Sequence, residues 1–68
     1  MSVATGVVSA FDEEIGLGTV DLEDGRQLEF HATAIADGTR VIEPGAHVIV
    51  AIEPDHRGRS CAGHVIRR

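Results

Sequence analysis

The stretch Leu17-Gly18-Thr19-Val20-Asp21-Leu22, Glu23-Asp24-Gly25, Arg26-Gln27-Leu28-Glu29-Phe30-His31 decides the fold. Two alternating runs flank a three-residue acidic loop that ends in glycine, the pattern of a β-hairpin with a bulge in which Gly25 takes the left-handed position. Pairing across that loop sets Leu22 against Arg26, Val20 against Leu28, Thr19 against Glu29 and Leu17 against His31. Val20, Leu22, Leu28 and Phe30 then share one face, and Leu17, Thr19, Asp21, Gln27, Glu29 and His31 share the other. A slip of one residue would bury Asp21 and Glu29, so burial of the first face specifies the register.

Working outward, three more runs rich in Val and Ile repeat the alternation, namely Val3 to Phe11, Ala46 to Ile52 and Cys61 to Arg67. Glycine, proline and aspartate separate them at the spacing of an all-β barrel, and interrupt the chain too often for a long helix. The fourth run directs Val48, Val50 and Ile52 inward and His47, Ile49 and Ala51 outward. Pro44-Gly45 and Pro54-Asp55 punctuate its two ends. Between the third and fourth runs, Ala32-Thr33-Ala34-Ile35 is long enough for one helical turn only. Five short strands with the long connection after the third predict an all-β, five-stranded Greek-key barrel of the OB type in a single domain over residues 1–68.

The chain has 68 residues, 43% of them hydrophobic, enough for one small core. A domain of this size buries roughly 60% of the surface its unfolded chain exposes. The single cysteine, Cys61, has no intramolecular disulfide partner, and the histidines fall into no zinc spacing. Cys61 and His64, three apart in a strand, are expected on opposite faces. His47 and His56 read as surface histidines. No signal peptide pattern or membrane span is visible, so the expectation is a cytoplasmic monomer without membrane contact. The net charge of −5 is unevenly placed. Residues 1–37 set eight carboxylates against Arg26, a net of −7, whereas residues 38–68 carry a net of +2. Only the second half can attract a polyanion.

At this level of detail the sequence resembles the bacterial cold-shock proteins over nearly its whole length. The residues that carry the likeness are Gly6-Val7-Val8, Phe11-Asp12-Glu13-Glu14-Ile15-Gly16-Leu17-Gly18, Leu28-Glu29-Phe30-His31-Ala32-Thr33-Ala34-Ile35, Glu43-Pro44-Gly45 and Arg57-Gly58. The resemblance implies a cold-shock domain that stacks single-stranded RNA or DNA on aromatic side chains of its first three strands, with a basic rim for phosphates. Several of those positions differ here. Ala10 stands at the tryptophan position and Ser9 at the lysine before it. The lysine-Gly-Phe-Gly-Phe run reads Ile15-Gly16-Leu17-Gly18-Thr19, and Phe-Val-His-Phe reads Glu29-Phe30-His31-Ala32. Phe11 and His31 remain of the stacking set. At about 1–3 kcal/mol per stacked base, the missing rings remove about 5 kcal/mol or more.

The resemblance therefore implies a weakened or altered nucleic-acid surface made of Phe11, Leu17, His31, Arg57 and Arg59. A second reading keeps the fold and gives the old platform to a protein partner, since Ala10, Leu17, Ala32 and Ile15 leave an apolar patch bordered by Glu29, Asp12 and Glu13. Gly16-Leu17-Gly18 precedes a strand and not a helix N-terminus, which removes the mechanism of a phosphate-cradling loop. No nucleophile has a base nearby and no carboxylates pair for acid–base work, so neither an enzyme nor a cofactor is expected.

Overall fold

A computed structural model describes residues 2–55 and 57–68, so the reading of His56 lies outside the described residues. The strands are β1 (Ser2–Asp12), β2 (Leu17–Leu22), β3 (Gln27–His31), β4 (His47–Pro54) and β5 (Ser60–Arg67), with one 3₁₀ turn over Ala32–Ala34. They form one antiparallel sheet in the order β3-β2-β1-β4-β5. Three consecutive hairpin strands are followed by a fourth that returns beside the first, which is the Greek-key connection. The sheet curls until its outer strands meet. β3 and β5 lie together in parallel with no ladder between them, joined past the end of β3 by the isolated bridge between Ile35 and Val65. The result is an OB-like fold whose sheet is not closed. Among the described residues no helix is long and apolar enough to cross a membrane.

The hairpin of β2 and β3 pairs as the alternation predicts: Leu17 faces His31, Thr19 faces Glu29 and Val20 faces Leu28. The Leu22 N–H donates to the Arg26 carbonyl at 2.7 Å, closing the loop, and Gly25 has φ of 93°. Val20, Leu22, Leu28 and Phe30 are buried, joined by Val8, Val48, Val50, Ala62 and Val65 from the other strands and by Ile35 and Ile42 from the β3–β4 connection. Ile52 packs against this core at its margin.

Phe30 is the largest fully buried side chain, and Gly18 across the hairpin makes room for it. A Cβ at position 18 would stand 2.5 Å from Phe30 Cζ and 2.9 Å from the Ala10 carbonyl oxygen. Phe11 covers the same ring. Val8 faces Val20 but Ala10 faces Thr19, so Ser9 is the extra residue of a β-bulge, its hydroxyl 2.7 Å from the Thr19 hydroxyl. Bulges shift the alternation of the strand that carries them. Phe11, now opposite Gly18, falls in phase with the core and lies nearly parallel to Phe30 at a centroid distance of 6.0 Å.

A second bulge corrects the expectation that Cys61 and His64 lie on opposite faces. Ala51 pairs with His64 and Ile52 with Ala62, leaving Gly63 as the extra residue of β5. Ala62 and Val65 are consequently both buried although they are three apart, and Cys61 and His64 both stay out of the core. His64 Nδ1 lies 3.1 Å from Glu53 Oε2. Among the described residues no three His, Cys, Asp or Glu side chains gather in a way that could hold a metal ion.

The connection between β3 and β4 has little regular structure but is pinned at several points. Ile42 is 2% exposed. The Ala36 N–H donates to the Val65 carbonyl at 2.8 Å, while Arg67 donates to the Val41 carbonyl and pairs with Asp37. The Gly18 contact yields a test of the packing. Gly18→Ala is expected to destabilise the domain by about 1–3 kcal/mol through overpacking against Phe30. A denaturant midpoint unchanged from that of the parent protein would contradict it.

Candidate functional site

The seam where β3 meets β5 carries a cleft of about 380 Å³. Its lining comes from Leu17 of β2, Glu29, Phe30 and His31 of β3, the β4–β5 turn with Asp55, Arg57 and Arg59, and the start of β5 at Ser60, Cys61 and Ala62. Four of the five residues expected at the site, Leu17, His31, Arg57 and Arg59, therefore meet in one place. The fifth, Phe11, lines a shallower depression of about 320 Å³ with Ala10, Asp12, Ile15, Gly18 and Thr19. Leu17 and Glu29 line both hollows, so the two form one continuous strip.

Hairpin register explains the β3 side of the cleft. The N–H of Leu22 bonds the Arg26 carbonyl, and the N–H of Ala32 bonds the Gly16 carbonyl at 2.8 Å. In an antiparallel ladder such bonds alternate, so the even-numbered residues of β3 spend their main-chain groups on β2. The main-chain groups of Glu29 and His31 are left toward the seam. Their side chains lie on the outer face and are exposed.

Asp55 builds the other side. Its Oδ1 accepts hydrogen bonds from the main-chain N–H of Arg57 at 2.8 Å and of Arg59 at 2.9 Å. Its own N–H donates to the Arg59 carbonyl at 2.6 Å, and Gly58 N–H donates to the Asp55 carbonyl at 3.0 Å. A carboxylate bonded in this way organises a turn that presents two exposed arginines at the edge of the cleft. Among the described residues the salt bridges involve Arg26, His64 and Arg67, and neither Arg57 nor Arg59 enters one.

Cys61 at the cleft wall is half-buried and free. Burial, then the carboxylates of Asp55 and Glu53, push its thiol above the ordinary value, which disfavours the reactive thiolate. Phe11 has a divided position, since its ring is half-buried against Phe30 and only its remainder lines the shallow depression. Of the rings expected to stack, His31 alone is exposed. Glu29 was expected only as a charge bordering the patch, and the β5 wall of Ser60, Cys61 and Ala62 was absent from the residues expected at the site. Glu29 alternates outward in the sequence, but the seam that brings β5 to it depends on the curl of the sheet.

Compared with known proteins, the chain matches no family model and no curated protein. The role of Asp55 is open to measurement through paired variants. Asp55→Ala is expected to cost about 1–3 kcal/mol of stability by leaving turn N–H groups without their acceptor, and Asp55→Asn, whose side-chain oxygen can accept the same bonds, less than half of that. Equal losses in the two variants would remove the turn-organising role.

Proposed function

We propose that this chain is a binding module of the cold-shock type that holds single-stranded RNA or DNA weakly along the strip from Phe11 to Arg59. One observation carries the reading: the β3–β5 seam gathers Leu17, His31 and the two arginines of the β4–β5 turn, from three separate segments, into a single cleft. Arginine at a rim is suited to phosphate, the outer face of β2 and β3 offers a shelf for bases, and His31 supplies a ring that can stack.

The same geometry limits the affinity. With Phe11 committed to Phe30 and no other exposed aromatic ring lining the strip among the described residues, stacking there rests on His31. Carboxylates at Glu29 and in the acidic β1–β2 turn oppose phosphate approach. A dissociation constant of about 0.1–1 mM corresponds to the modest free energy left by two phosphate contacts and one ring.

Chemical-shift titration with heptathymidine at low salt is the direct test. Perturbations are expected at Leu17, His31, Arg57 and Arg59, with log affinity falling against log salt at a slope of about −1.4, or about −0.7 per phosphate contact. Arg57→Gln and Arg59→Gln are each expected to reduce the slope by about 0.7. No shift changes at about 1 mM protein would end the proposal.

A second reading, a protein-interaction surface, is favoured by Ile15, which is 66% exposed beside Ala10 and Leu17 in the shallow depression. An apolar centre with a charged rim suits a polypeptide partner. Capture from nuclease-treated extract separates the two, because a partner held through RNA is lost on treatment. Leu17→Asp is expected to release a directly bound protein, and retention of that partner by the variant would count against this surface.

A further inference from the structure

Glu29 occupies the centre of the strip, where the two hollows meet, and its carboxylate is exposed. No cation or hydrogen-bond donor among the described residues engages it. Its cross-strand neighbour Thr19 has its hydroxyl beside that of Ser9, so it is not set to neutralise the charge. A negative charge in this position is a poor neighbour for a phosphate. It is a good acceptor for a base whose edge carries donors.

The four bases differ in this respect. The Watson–Crick edge of guanine presents two adjacent donors, N1–H and the N2 amino group, which match the two oxygens of one carboxylate. Adenine and cytosine each place a ring acceptor next to the amino donor. In thymine and uracil the single N3–H stands between two carbonyl oxygens. An ionised carboxylate can only accept, so each of these other edges brings at least one lone pair against an oxygen of Glu29. Bidentate, charge-assisted pairing adds both strength and orientation.

Charge placement also sets the orientation of the strand. Arg57 and Arg59 line the cleft from the β4–β5 turn and Glu29 lines it from β3, so phosphates held at the turn leave base edges to face the sheet. The carboxylate that opposes phosphate thus attracts the part of the ligand that is rich in donors.

Resting on the single-strand reading above, we propose that Glu29 makes the site selective for guanine, reading its N1–H and N2 amino group. The consequence is a weak site whose preference lies in hydrogen bonding and not in stacking.

The experiment uses fluorescence anisotropy or chemical-shift titration with three heptamers: heptathymidine, the same strand with one central deoxyguanosine, and the same strand with central deoxyinosine, which keeps N1–H and lacks the amino group. The guanosine strand is expected to bind about tenfold more tightly than heptathymidine, with inosine between them. Glu29→Gln, which replaces one acceptor oxygen by a donor, and Glu29→Ala are both expected to bring the three strands to within about twofold of one another. Equal binding of all three strands by the parent protein overturns the selectivity and leaves the single-strand reading standing. A uniform rise in affinity for all three strands in the variants, with the guanosine preference retained, also overturns it by showing that Glu29 acts only through repulsion. Absence of binding to every strand ends both proposals together.

Discussion

Phe30 has to be buried somewhere, and the sequence offers it one location. Its ring extends from β3 across the bare backbone of Gly18, where any side chain would collide, and is covered by Phe11 from β1. A fully buried phenylalanine contributes about 1.5–3 kcal/mol relative to exposure, a large share of the stability available to a domain of this size. The contact ties three neighbouring strands together at the end where the candidate site lies. The bulge at Ser9 is part of the same arrangement, because without the extra residue Phe11 would alternate outward and the ring of Phe30 would lose its cover.

That constraint accounts for the make-up of the outer face of β2 and β3. The chain has two phenylalanines and no tryptophan or tyrosine, and both rings are used in packing against each other. What the outer face retains is a shelf of Leu17, Ala10 and Thr19, with Glu29 and His31 beside it. Hydrogen bonding and charge are therefore the interactions left to it.

Much of this was legible in the sequence, and the parts that were not have specific physical reasons. The β2–β3 hairpin could be read to the residue because strict alternation, an Asp-Gly turn and the cost of burying Asp21 and Glu29 all point to one register. The inward set of β4 followed from the same periodicity. The bulges at Ser9 and Gly63 were not legible, since a bulge interrupts the periodicity on which such a reading depends, and each changed the placement of side chains beyond it. Ile42 was missed for a related reason: it is buried from an irregular connection, where neither helical nor strand spacing marks it. At the site, Arg57, Arg59 and His31 could be named but their meeting could not, because it is produced by the curl that brings β5 against β3.

The open seam is where fold and function join. In a fully laddered barrel the main-chain groups of Glu29 and His31 would be consumed by a neighbouring strand, whereas here they border a cleft whose far wall is a turn held by Asp55. The bonds from Arg57 and Arg59 to Asp55 come from their main-chain N–H groups, so the turn is ordered while, among the described residues, neither guanidinium enters a salt bridge. Order in the backbone with freedom in the charges lowers the entropic cost of meeting a flexible, charged strand. The uneven charge of the chain acts in the same direction. With −7 on residues 1–37 and +2 on residues 38–68, the charge disfavours a polyanion at the hairpin loop and the β1–β2 turn and leaves the β4–β5 turn as the more favourable side for one. On the proposed single-strand reading, phosphates meet the arginines of this turn before a base reaches the sheet.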